Sequence, residues 1–315
     1  RKISGINAVR KIAHEIMSEV NKAIVGKNQI LEDLFIALMC NGHVLLEGVP
    51  GVAKTYMAKV FAQTLGCTFK RIQFTPDLLP SDILGTYVFD QKTSEFSFRE
   101  GPIFANIVLA DEINRAPPKT QSALLEAMQE RQVTIEGTRH DLPKPFMVIA
   151  TQNPIEHEGT YPLPEAQIDR FLFKLNVDYP TESEEVEMLK RRTGANGDEI
   201  KSITSPNIIV KMQSIVQSVY VAPEIMEYIR DIVIRSRRNP QVLLGGSPRA
   251  SIVLMEGAKA RAALNGRDYV IPDDVKAIVQ QSLNHRLILR PEAELEGVSV
   301  KRVIASIIGE VPVPI

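Results

Sequence analysis

One stretch restricts the possible folds more than any other: a short apolar run that passes without a spacer into a glycine-bearing turn and then a helical pattern. His43 to Glu47 reads as a buried strand, Gly48-Val49-Pro50-Gly51-Val52-Ala53-Lys54-Thr55 as the turn, and Thr55 to Leu65 as the helix. The alternation continues. Thr68 to Phe74, Ile107 to Ala110, Phe146 to Thr151 and Phe171 to Val177 read as strands, and Pro117 to Glu130 as a helix with Ala123, Leu124, Ala127 and Met128 inward. Short apolar strands alternating with helices predict a parallel sheet covered on both faces, a three-layer α/β/α core. Upstream, Ile6, Val9, Ile12, Ile16 and Val20 recur at helical spacing, and Ile30, Leu31, Leu34, Phe35 and Leu38 give a second helix that Asn41-Gly42 stops.

Two segments break the alternation with period-2 character. Leu84 to Glu100 turns at Asp90-Gln91-Lys92-Thr93, and Val133 to Leu142 turns at Glu136-Gly137-Thr138. Both read as β-hairpins inserted between core elements. Tyr179-Pro180-Thr181 marks a change of character. Beyond it the patterns are helical: Glu182 to Arg192, Asn207 to Val219, Pro223 to Arg237, Pro248 to Leu264, Pro272 to His285 and a short helix after Ser299. Several open with a capping residue or an early proline. The expected organisation is an α/β domain over residues 1–178 and an all-α domain over 179–315, within a chain of 315 residues.

Bulk properties exclude some roles. A formal net charge of -1 gives no global attraction to nucleic acid, so such contact would need a local basic patch. No apolar run approaches the roughly 20 residues of a membrane helix. Cys40 and Cys67 lie far apart in apolar stretches and read as reduced core thiols, which suits a cytoplasmic protein. The five histidines (His14, His43, His140, His157 and His285) show no metal-ligand spacing.

The turn from Gly48 to Thr55 suits phosphate. Its glycines let backbone N–H groups approach closely, and the helix that follows adds positive potential at its N-terminus. Lys54 is placed to reach the β- and γ-phosphates and the Thr55 hydroxyl to ligate magnesium. Ala53 stands where the common pattern has glycine, and its methyl group narrows the backbone choices there. The strand Ile107-Val108-Leu109-Ala110 ends in Asp111-Glu112, two carboxylates where magnesium-dependent hydrolysis needs them. Asp111 would hold the metal and Glu112 would act as general base on water. The strand Phe146 to Thr151 ends in Gln152-Asn153-Pro154; an amide there can orient the lytic water, although Asn-Pro alone also reads as a turn. Arg170, just before the last strand, is either a surface charge or, in a ring of subunits, an arginine finger in the neighbouring site.

In order and wording these motifs resemble the AAA+ ATPases, and within them the MoxR family. The residues that carry the resemblance are Gly48 to Thr55, Asp111-Glu112-Ile113-Asn114-Arg115-Ala116, Ala150-Thr151-Gln152-Asn153-Pro154, Asp169-Arg170-Phe171 and Ser247-Pro248-Arg249. The resemblance spans essentially the whole chain, and Ala53 is a common variation within it. It implies a P-loop core with β-hairpin inserts followed by a helical lid, and ATP with Mg2+ as cofactors. By the same resemblance Asn153 matches sensor 1, Arg170 the finger acting in trans, and Arg249 sensor 2, reading the γ-phosphate from the lid. Val25 and Gly26 match the segment beside adenine, and the hairpins match inserts that line a pore in related rings. Catalysis would then require a homo-oligomeric ring, a hexamer, driving chaperone-like remodelling, assembly or activation of client proteins. Clients in that family often contain a von Willebrand factor A domain, and some receive a metal cofactor. Two other readings stay open. A nucleic-acid motor draws support from Arg131, Arg139, His140 and Lys144, weakened by Glu130, Glu136 and Asp141. A nucleotide-gated binding module with little turnover is opposed by the complete catalytic set.

Overall fold

The computed structural model describes residues 5–48, 53–153, 159–193 and 199–315. Val49, Pro50, Gly51 and Val52 of the phosphate loop, and His157, lie outside the described residues.

Two helices, α1 (Ile6–Val20) and α2 (Asn28–Met39), precede the sheet. The α/β region then runs β1 (Val44–Gly48), α3 (Lys54–Leu65), β2 (Phe69–Gln73), α4 (Pro80–Leu84), β3 (Gly85–Asp90) and β4 (Glu95–Glu100). It continues with β5 (Ile107–Asp111), a 3-10 turn at Ile113–Arg115, α5 (Pro118–Glu130), β6 (Gln132–Ile135), β7 (Thr138–Asp141), β8 (Met147–Gln152), α6 (Glu165–Ile168) and β9 (Phe173–Val177). The central sheet has five parallel strands in the order β2-β5-β8-β1-β9. Side chains of β1 alternate between its faces, as the strand period requires. Val44 and Leu46 join the apolar cluster that contains α1, α2 and α3, whereas Leu45 joins the cluster with Leu124, Leu125 and Met128 of α5. The three central strands, β5, β8 and β1, are buried on both faces, which explains their apolar runs, whereas β2 at one edge exposes Lys70 and Arg71 and β9 at the other exposes Asn176.

The two inserted hairpins form as the sequence pattern predicts, β3 with β4 and β6 with β7, both antiparallel. They are not independent. His140 of β7 stacks on Phe98 of β4 with ring centroids 3.9 Å apart, and its Nε2 lies 3.0 Å from the Tyr87 hydroxyl of β3. Separate inserts in the sequence thus make one joined ribbon, with Phe89 and Phe96 exposed near its tip.

Beyond β9 follow α7 (Glu182–Thr193), α8 (Pro206–Gln217), α9 (Pro223–Arg238), β10 (Val242–Leu244) and α10 (Pro248–Leu264). Then come α11 (Pro272–Lys276), α12 (Val279–Leu283), β11 (Ile288–Leu289), α13 (Pro291–Leu295) and α14 (Val300–Glu310). This helical lid also holds a small ribbon, β10 against β11, that helical periodicity could not reveal because its strands are only three and two residues long. The expected helix from Pro272 to His285 is two short helices. In the first, Asp274 is wholly buried and takes ion pairs from Arg261 and Arg267. One apolar cluster runs from α1 and α2 through one sheet face into the lid. We propose the boundary near residue 178 as a change of architecture rather than a break in packing.

Candidate active site

Parallel pairing brings the carboxyl ends of β5, β8 and β1 side by side, with neighbouring strands roughly 4.8 Å apart. This edge, where β1 is followed by a strand at the far side of the sheet, is where open α/β folds bind ligands. Gly48 ends β1 against β9. A Cβ there would lie 2.3 Å from the Val177 carbonyl oxygen, so only glycine lets the chain leave the sheet at this point. Ala53 has φ −69° and ψ 58°, the inverse γ-turn region, which an L-residue with a methyl side chain can adopt without positive φ.

Lys54 opens α3, is buried, and donates to the Gly48 carbonyl at 3.0 Å. Burial lowers its pKa, opposed by the attraction of Asp111, Glu112 and Glu47. The N-terminus of α3 has no side-chain cap, which leaves its first N–H groups for an anion. Thr55 follows on the same turn and is half-buried.

Asp111 and Glu112 are held by a residue that the motif reading passed over. The Thr151 hydroxyl, at the end of β8, donates to Asp111 Oδ1 at 2.6 Å and accepts from the Glu112 N–H at 2.9 Å. Glu112 sits in the left-handed region, φ 55° and ψ 55°, an uncommon conformation for glutamate that points to a functional constraint. The other Asp111 oxygen accepts from Arg71 of β2 at 2.7 Å, and Arg115 lies 3.3 Å from Glu112 Oε2. Glu47, beside them, pairs with Lys174 and accepts from Gln152. Thr151 carried a signal of its own: a hydroxyl ending an apolar strand two residues before Asn153. Asn153 follows β8 directly, half-buried at the same edge.

A cavity of about 420 Å³ lies under the β6–β7 ribbon, and another of about 620 Å³ opens beside Lys54. The latter is lined by Ile24, Val25, Ala53, Lys54, Val177 and Tyr179, with α7 supplying Met188, Arg191 and Arg192. Val25, from the segment expected beside adenine, thus lines the same cavity as Ala53 and Lys54. Gly26 has φ +69° and packs against Glu184 of α7, which makes glycine necessary. Helix α7 was not recognised as part of the site. It contributes no buried side chain, yet Arg191 anchors it to the Asn21 and Lys22 carbonyls after α1.

Arg170 and Arg249 are elsewhere. Both line a separate pocket of about 290 Å³ with Asn41, Gly42, His43 and Leu172, at the amino ends of β1 and β9. Strand β1 separates this edge from Lys54 by roughly 16 Å at 3.3 Å per residue. Arg249, expected to read the γ-phosphate from the lid, is thus brought together with Arg170 and not with Lys54 of the same chain. Among the described residues Arg170 has no ion pair, and Arg249 lies 3.7 Å from Asp169. His43, in the same wall, is a core residue: Nδ1 accepts from the Val148 N–H, Nε2 donates to the Met128 carbonyl, and burial lowers its pKa to about 3.

A buried lysine at an uncapped helix start, facing a strand that ends in two carboxylates, defines a P-loop ATPase of the AAA+ class with a helical lid. Residues 43–173 match the family model of ATPases associated with various cellular activities, and 234–307 match the AAA lid domain. The chain is 50% identical over 300 residues to the uncharacterized protein YeaC of Bacillus subtilis, covering 95% of this chain and 94% of that one. It is 48% identical to the chaperone MoxR1 of Mycobacterium tuberculosis, covering 94% of this chain and 81% of the other. A crystal structure of a candidate ATPase from Cytophaga hutchinsonii superposes with TM-score 0.92 at 43% identity, over 98% of this chain and 97% of that one. The chain belongs to the MoxR family of AAA+ ATPases.

Proposed function

We propose that the protein hydrolyses ATP with Mg2+ in a ring of identical chains, taken to be a hexamer, and that each active site is shared between two of them. The carrying observation is the separation of the charges. Lys54, Asp111 and Glu112 occupy the carboxyl edge of the sheet, and Arg170 and Arg249 the amino edge, so neither arginine reaches the loop of its own chain. If these arginines act on a nucleotide, it is one held by another copy.

The residues at the carboxyl edge fit the cofactors. Uncapped N–H groups and Lys54 suit phosphate oxygens, while Arg71 holds on Asp111 the place that a cation would take. Thr55 and Asp111 would hold Mg2+, which when bound supplies charge neutralisation across the β- and γ-phosphates. Glu112, its backbone fixed by Thr151, accepts a proton from the attacking water, and Asn153 orients that water. Val25 and Gly26 border the base, and the phosphate-binding role of Val49, Pro50, Gly51 and Val52 rests on the sequence motif alone. Arg170 and Arg249 of the adjacent chain offset the charge that develops on the transferred group.

The output is chaperone-like remodelling of client proteins, consistent with the name of the Mycobacterium tuberculosis relative. The exposed Phe89 and Phe96 on the joined hairpins suit contact with an apolar client segment. A client with a von Willebrand factor A domain, and metal insertion as the outcome, are narrower proposals within this one, as is action in the cytoplasm. Among the described residues no helix is long and apolar enough to cross a membrane. The nucleic-acid reading loses ground: Arg139 pairs with Asp141, Arg131 donates to the Phe146 carbonyl, and His140 is stacked within the hairpins. Of that basic group only Lys144 remains exposed and uncommitted. The test is phosphate release with and without Mg2+, together with mass measurement and partner capture by the Glu112→Gln variant in ATP. No Mg2+-dependent release above background would defeat the enzymatic reading and leave the slow binding module. Stimulation by DNA that falls with salt would favour the motor.

A further inference from the structure

We infer that Arg286 is the positioning residue for Arg170, and that through it the helical lid sets where the trans-acting arginine stands. This rests on the shared-site reading above.

Arg286 follows α12 and its side chain is 3% exposed. Its guanidinium spends all five N–H donors. Nε donates to Asp169 Oδ1 at 2.6 Å, and Nη2 to the backbone carbonyls of Asp169 at 3.0 Å and Phe171 at 2.8 Å. Nη1 donates to the carbonyls of Leu172 at 2.9 Å and Ser282 at 2.6 Å. Four of the five bonds therefore fall on the residues flanking Arg170. The two preceding residues add to the grip: His285 Nε2 is 2.8 Å from the Phe171 carbonyl, and Asn284 donates to the Lys174 carbonyl at 2.9 Å. A planar fork with five donors can do this; a lysine ammonium, a point charge with three, cannot.

Two consequences follow for Arg170. Its backbone is pinned on both sides, while its own side chain stays half-buried and free of ion pairs among the described residues. In addition, Asp169 is drawn onto Arg286. Asp169 already lies within ion-pair distance of Arg249, at 3.7 Å; without Arg286 its carboxylate is also free to neutralise Arg170 next to it, which removes positive charge from the face presented to a neighbour. Arg286 thus keeps an adjacent acid from quenching the finger, and any movement of α12 is carried directly to residues 169–172.

The test is subunit complementation. Arg286→Lys lowers turnover at saturating ATP by about tenfold or more with KM changed less than about twofold, because its own nucleotide site is intact. Mixed with Glu112→Gln chains, which have a dead site but a sound finger, Arg286→Lys recovers activity above the sum of the two alone; mixed with Arg170→Ala chains it does not. A purely structural defect would not be repaired by the first mixture and distinguished by the second. Arg286→Gln, which also loses the fork of donors and frees the Asp169 carboxylate, gives the same pattern and decides the matter if Arg286→Lys does not assemble. Unchanged turnover in both variants overturns the inference. So does failure of either variant to complement Glu112→Gln while Arg170→Ala complements it. If Arg170→Ala also fails to complement, the shared site itself is wrong and the inference falls with it.

Discussion

Asp111 and Asp169 are gripped alike by arginine, at 2.7 Å from Arg71 and 2.6 Å from Arg286, yet the two grips differ in kind. The Arg71 side chain is 46% exposed and, among the described residues, its only other bond is to Gln73. Solvent competes with such a pair, and a metal ion can displace it. Arg286 is buried and saturated, and its bonds reach four backbone carbonyls as well as the acid. On the proposed reading, the first acid is held loosely enough to exchange its partner for a cation, and the second is held firmly so that its neighbour can act. Exposure and bond count, not distance, separate the two grips.

The sharpest way to break this contrast is to remove the groups that each acid serves. Glu112→Gln and Arg170→Ala each reduce turnover by about 10³-fold while ATP still binds, measured by single-turnover hydrolysis and nucleotide titration. Rapid hydrolysis by Glu112→Gln would rule out that residue as the base, and undiminished turnover in Arg170→Ala would sink the shared site. Next, Arg286→Ala strands buried carbonyls and costs about 3 kcal/mol in denaturant unfolding, whereas Arg71→Ala costs less than about 1 kcal/mol. Equal losses would erase the distinction. Smaller still, Arg71→Ala lowers the Mg2+ concentration for half-maximal turnover by about two- to fivefold, because Asp111 Oδ2 no longer has to shed an arginine; a rise instead would make Arg71 part of the metal site.

The smallest effect concerns a third acid, Asp33 of α2. Gln29 and Gln281 both donate to its Oδ1, but burial raises its pKa to about 7. The folded state then holds a proton that the unfolded chain releases near pH 4, so stability falls as pH rises from about 4 to about 7. Asp33→Asn keeps both acceptor contacts and removes that slope, flattening Tm against pH by several °C, since about 1 kcal/mol is worth roughly 2–4 °C in a domain of this size. The two cysteines need no such test: burial raises both thiols, Cys67 to about 12, which leaves them inert near neutral pH.

Much of the fold was legible because it is local. The run from His43 to Lys54, the apolar strands and the turn residues of both hairpins obey periods of 2 and 3.6 that any window of the chain displays. Asp111 and Glu112 were readable for the same reason, at the end of an apolar run. Thr151 and Arg71 were not, because their roles depend on which strands are neighbours, and strand order is not written along the chain. The β10–β11 ribbon was too short to leave a pattern, and α7 looked like any exposed helix until its placement beside Val25 and Gly26 made it a wall of the cavity next to Lys54.

By itself, the sequence determined where the proposed phosphate and magnesium chemistry would sit, at Gly48–Thr55 and Asp111-Glu112, because a loop, a helix start and a strand end suit that chemistry within a few residues. Only the tertiary structure decided on which side of the sheet each charge stands. Parallel pairing sends all five carboxyl ends one way, leaving Arg170 and Arg249 one strand length away at the opposite edge. It also decided what holds Arg170 there, since Arg286 meets Asp169 across 117 residues of chain, a distance that no local pattern spans.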